Sequence, residues 1–66
     1  MAISVKELNS CIKNSKPIYH DGYEFVPTKI GTWNKIKLVE VEINNLRRVI
    51  DYEFLIRNFT TKDMSF

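Results

Sequence analysis

Sixty-six residues, 44% of them hydrophobic, with a formal net charge of +2 make one small domain, 1–66. So short a chain buries only about 60% of the surface its unfolded form exposes, which leaves little material for a deep catalytic cleft. Ten basic residues against eight acidic ones fall short of the basic stripe of a dedicated nucleic-acid binder.

The single cysteine, Cys11, excludes an internal disulfide. No apolar run approaches the ~18–20 residues that span a bilayer, and no charged-then-apolar leader opens the chain. The expectation is a protein of the reducing cytoplasm, with no membrane partner. Asn58-Phe59-Thr60 matches a glycosylation sequon, which such a compartment leaves without meaning.

The first element is a helix over about 4–15. Ser4 and Glu7 have capping-box spacing, and Ile3 and Leu8 have hydrophobic-staple spacing. Val5, Leu8 and Ile12 then share one face, with Cys11 beside them. Pro17 disfavours helical geometry at Lys16 and supports a stop there.

Strands are predicted over about 17–20 and 23–27, on either side of Asp21-Gly22, a dipeptide that suits the positive φ of a tight hairpin turn. Pro27 lacks an amide hydrogen and is expected to end the second strand or to mark an edge, and Gly31 to bend the chain after it. A third strand is predicted over about 34–43. Lys35-Ile36-Lys37-Leu38 and Val39-Glu40-Val41-Glu42-Ile43 alternate out of phase, so a bulge or bend is expected at Leu38-Val39. The last strand is predicted over about 46–57, because Ile50, Tyr52, Phe54 and Ile56 keep a two-residue period, which fits better than a helix that would have to place Ile50, Phe54, Leu55, Ile56 and Phe59 around most of a cylinder. The tail 60–66 is polar except for Met64 and Phe66.

Together these elements predict an α+β fold: an N-terminal helix on a four-stranded antiparallel meander, curled towards a small barrel if the phase slip bends the sheet. Sequential strands joined by short turns pair with their neighbours.

A two-residue turn at Asn44-Asn45 pairs Ile43 with Leu46, Val41 with Arg48, Val39 with Ile50 and Lys37 with Tyr52 on a mostly apolar face, assigned to the core. The opposite face pairs Glu42 with Arg47, Glu40 with Val49 and Leu38 with Asp51, and Glu53 continues the row opposite Ile36. Four acids (Glu40, Glu42, Asp51, Glu53) and one base then line that face. Such a row repels a phosphate backbone. It is either a solvated surface or, with Leu38, Val49 and Leu55 interspersed, a patch for a basic protein surface.

The most basic segment, Lys29 to Lys37, holds the only tryptophan. An exposed Trp33 can stack a base while Lys29, Lys35 and Lys37 hold phosphates; a buried Trp33 only fills the core. Cys11 and His20 supply two of the four ligands a zinc site takes, so no metal site is expected. A Cys11–His20–Asp21 nucleophile needs a thiolate-favouring setting that an apolar helix face does not supply. Asp51 and Glu53 as an acid–base pair, and Cys11 as a nucleophile, are each outweighed by structural roles. The only glycines are Gly22 and Gly31, too few for a phosphate-binding loop.

The composition, rich in Lys, Ile and Asn with the single alanine Ala2, resembles that of accessory proteins encoded by phages and mobile elements of AT-rich bacteria. The expected function is a small, non-catalytic, cofactor-free protein-binding module that regulates or inhibits a larger protein. It would use Glu40, Glu42, Asp51 and Glu53 for charge and Tyr19 and Trp33 as aromatic anchors. The alternative is a nucleic-acid-binding protein using Lys29, Trp33, Lys35 and Lys37. A homodimer, formed by edge pairing or aromatic packing, is compatible with either.

Overall fold

In a computed structural model, which describes residues 3–61, helix α1 (Val5–Asn14) is followed by strands β1 (Ile18–His20), β2 (Tyr23–Trp33), β3 (Ile36–Ile43) and β4 (Leu46–Asp51), then by helix α2 (Tyr52–Asn58). The strands form one antiparallel meander in the order β1-β2-β3-β4. The sheet is open, with β1 and β4 at its edges. The tail beyond Thr61, with Met64 and Phe66, lies outside the described residues.

The capping box forms as the spacing predicts. Ser4 Oγ accepts from the Glu7 amide and Glu7 Oε1 accepts from the Ser4 amide, both at 3.1 Å. Ser15 ends α1 in the left-handed conformation. Leu8 and Cys11 are buried and Ile12 packs against the core, but Val5, expected on that face, is 49% exposed.

Three hairpins share one turn chemistry. Asp21-Gly22, Asn34-Lys35 and Asn44-Asn45 each place two residues at positive φ between paired strand ends. That is the type I′ turn, whose twist matches that of the strands it joins. The first and last are the turns expected from Asp21-Gly22 and Asn44-Asn45; the middle one carries Asn followed by an unfavourable Lys.

Several boundaries differ from expectation. Strand β2 runs through Pro27, which is buried, and continues to Trp33. Proline is tolerated because the ladder breaks there: the register shifts between Pro27 and Lys29, leaving Thr28 as the bulge residue. Thr28 Oγ1 donates to the Glu40 carbonyl at 3.1 Å. Gly31 remains in the ladder, opposite Leu38. The bulge therefore lies on β2, and β3 is regular through Leu38-Val39. The phase slip in the sequence marks an exchange of faces. Ile36 and Leu38 point outwards, whereas Val39 and Val41 point into the core.

The last predicted strand is the main correction. Strand β4 ends at Asp51, and Tyr52–Asn58 is helical. Asp51 caps α2 by accepting from the Phe54 amide at 3.1 Å, and Glu53 pairs with Arg57 one turn on at 3.5 Å. Tyr52 and Leu55, three apart, are buried. The two-residue alternation in this segment coincides with a helical stripe, and the burial of Tyr52 and Leu55 goes with the helix, which Asp51 caps. Lys37 therefore does not pair with Tyr52 in a strand. Instead its Nζ lies 4.4 Å from the centre of the Tyr52 ring.

The core fills one face of the sheet. Val39 and Val41 from β3, Ile18 from β1, Leu8 and Cys11 from α1, and Leu55 from α2 meet there. Phe59 closes it, 1% exposed, with the His20 ring stacked on it at 4.7 Å and Phe25 edge-on at 5.1 Å. Just beyond, Tyr19 and Thr60 exchange backbone hydrogen bonds of 2.8 and 3.0 Å. Thr60 thus lies along β1.

Candidate functional site: the outer face of the sheet

Residues paired across an antiparallel ladder point to the same face. The face opposite the core is therefore fixed by the register: Lys29, Gly31 and Trp33 on β2, Ile36, Leu38, Glu40 and Glu42 on β3, and Arg47, Val49 and Asp51 on β4. Trp33 opposes Ile36 beside the turn. It is 48% exposed, Ile36 53% and Val49 56%, and Leu38 between them is half-buried.

The indole leans back over Gly31. A Cβ at that position would stand 2.8 Å from Trp33 Cζ3. The glycine's role is therefore to leave room for the ring over the sheet surface, on the strand position opposite Leu38. Trp33 is neither a core residue nor a free loop side chain.

The charges around this apolar strip are more balanced than the sequence suggested. Glu40 is partly buried and lies 4.0 Å from Lys29 Nζ. Glu42 and Arg47 are opposed and exposed. Asp51 stands at the strand end and uses a carboxylate oxygen for the α2 cap. Glu53 leaves the row altogether, because it lies on α2 with Arg57. The expected row of four acids is thus Glu40, Glu42 and Asp51, countered by Lys29 and Arg47. Leu55, read as part of that patch, is in the core.

The residues of the alternative reading are separated. Lys29 and Trp33 share the outer face, Lys35 sits in the turn, and Lys37 alternates to the other face and reaches Tyr52. Tyr19 is also apart from Trp33. It belongs to β1 opposite Glu24, and Glu24 and Trp33 are separated along β2 by roughly 30 Å at ~3.3 Å per residue. Tyr19 lines a separate cavity of about 340 Å³ between α1 and β1, with Glu7, Cys11, Lys16 and Thr61.

The remaining reactive groups have structural surroundings. Burial pushes the Cys11 thiol above its ordinary value of 9.0, against the pull of Lys16 and with a smaller push from Glu7. That favours the thiol over the thiolate a nucleophile needs. His20 places Nδ1 3.2 Å from the Asn58 carbonyl and Nε2 3.4 Å from Asp21 Oδ2, with Phe54 edge-on at 5.6 Å. Its ring cements β1 to the end of α2. Among the described residues no three His, Cys, Asp or Glu side chains are grouped to hold a metal, and no helix is long and apolar enough to cross a membrane.

No protein-family model matches the chain, and neither a curated protein nor a solved structure resembles it significantly.

Proposed function

We propose that this protein is a small, non-catalytic protein-binding module that regulates or inhibits a larger protein, and that it docks through the outer face of its sheet. The observation that carries this reading is the half-exposed tryptophan that lies over Gly31, on the face that also presents Ile36, Leu38 and Val49 among opposed charges. Buried aromatics supply most of the energy of an interface, and surrounding charges set on-rate and specificity. A rigid aromatic also loses little conformational entropy on binding. Glu40 and Glu42 favour a partner surface with basic residues around an apolar centre. A cytoplasmic setting and a phage or mobile-element origin fit such an accessory module.

Trp33→Ala tests the reading. Partner proteins retained by the immobilised wild type should be lost with Trp33→Ala but kept with Asn9→Lys, on exposed α1, both variants being folded by circular dichroism. Retention of the same proteins by Trp33→Ala overturns docking through this face. Nucleic-acid binding through Lys29 and Trp33 would instead quench Trp33 fluorescence with short oligonucleotides, and steeply less so as salt is added.

A further inference from the structure

We infer that β4 is a dimerisation edge, and that two copies of this chain join their sheets through it in a single antiparallel register centred on Val49.

The two edges of the sheet are treated differently. At β1, Tyr19 exchanges backbone bonds with Thr60. At β4 no described segment pairs with the outer side of the strand. The phase of the β3–β4 ladder then fixes which groups face outwards. A two-residue turn makes Ile43 and Leu46 exchange the closing pair of bonds, and bonded pairs recur every second residue, at Val41/Arg48 and Val39/Ile50. The amides and carbonyls of Arg47 and Val49, and the Asp51 amide, therefore point away from the sheet. The Asp51 carbonyl turns into α2 as the cap residue's carbonyl does.

Outward groups of one copy must meet outward groups of the other, which leaves few registers. Centring the two-fold axis on Arg48 opposes two guanidinium groups, and centring it on Arg47 does the same. Centring it on Ile50 uses only the end of the strand. Centring it on Val49 opposes Arg47 to Asp51 of the second copy, and Asp51 to Arg47 of the second copy. The two Val49 amides and carbonyls bond reciprocally, and each Asp51 amide meets the carbonyl of Arg47 of the second copy. Arg48 then faces Ile50 of the second copy and no like charge. The 56% exposed Val49 side chains meet at the centre of the outer face. Opposite charges directly across a ladder stabilise it, and like charges destabilise it. The strand is thus self-complementary in both hydrogen-bond phase and charge. An unguarded edge lacking that match would be an aggregation hazard.

The interface is short, so association should be weak and concentration-dependent. Sedimentation from micromolar to millimolar protein should show a rise from 7.8 kDa towards twice that mass. Over the same range the Val49 amide should become protected from hydrogen exchange, whereas the Ile50 amide, inside the ladder, is protected throughout. Arg47→Glu places like charges opposite each other twice and should weaken the dimer about tenfold or more. Val49→Pro removes an outward amide without breaking a β3–β4 bond and should abolish it. A monomer at every concentration overturns the inference. So does a dimer that leaves Val49 unprotected, or one that Arg47→Glu does not weaken. Trp33→Ala leaves this edge intact and should not change the dimer, so the docking face and the edge fail or stand separately.

Discussion

At the scale of single residues, environment sets chemistry more than residue type does. Cys11 and His20 have the identities of a nucleophile and its base, yet one is held neutral in the core and the other is stacked on Phe59. The Cys11 surroundings give a pH dependence. The folded thiol ionises above the ordinary value of 9.0 and the unfolded thiol at it, so its contribution to stability is full below pH 9.0. It is lost as pH rises through the folded value, because the unfolded chain releases its proton first. Urea midpoints of wild type should fall from pH 8 towards pH 10 by more than those of Cys11→Ala, and at neutral pH a disulfide reagent should label Cys11 only as fast as the protein opens. Rapid labelling of the folded protein would contradict this burial. That Cys11 is a core residue was legible in its helical position. The exposure of Trp33 was not, because it depends on Gly31 lying opposite Leu38 and under the indole, a relation that exists only across a formed ladder.

At the scale of elements, the turns and caps carry the definition of the fold. Asp51 is both the last strand residue and the α2 cap. Asp51→Ala should destabilise the protein by about 1 kcal/mol, and Asp51→Asn, itself a good cap, by only a few tenths; chemical denaturation measures both. Lys35 sits at φ 67 in its turn, a conformation that costs a side-chain-bearing residue roughly 1 kcal/mol. Lys35→Gly should accordingly raise the unfolding free energy by ~0.5–1 kcal/mol without altering the spectrum of the folded state. The Asp21-Gly22 and Asn44-Asn45 turns and the Ser4–Glu7 box were readable because their signals lie within four residues. The α2 boundary differs because a strand period and a helix stripe overlap over Ile50–Ile56, and the burial of Tyr52 and Leu55 that favours the helix is in a core built from residues distant in sequence, β3 among them.

At the scale of the whole molecule, a small core depends on a few large side chains. Phe59 joins β1, β2 and α2 and is 1% exposed. Phe59→Ala should cost about 3–5 kcal/mol, a large part of the ~3–10 kcal/mol expected of a domain of this size. Its thermal transition should be lost or shifted far down. A change of only a few degrees would mean that the core does not close on Phe59. The open sheet has one edge lined by Thr60 and one edge, β4, with no partner among the described residues, and one covered face and one face with an apolar strip in solvent. Both unsatisfied surfaces border Val49.

The sequence by itself determined the α+β class, the first helix with its caps, two of the turns, and the β3–β4 register from Ile43/Leu46 to Leu38/Asp51. All of these follow from local hydrogen bonding and short-range periodicity. Only the tertiary structure decided that the phase slip at Leu38-Val39 exchanges faces, that the bulge sits after Pro27, that Glu53 leaves the acidic row, and that Trp33 lies on the outside. These depend on which residues oppose one another across strands and on which face the two helices cover, and both are properties of the assembled sheet.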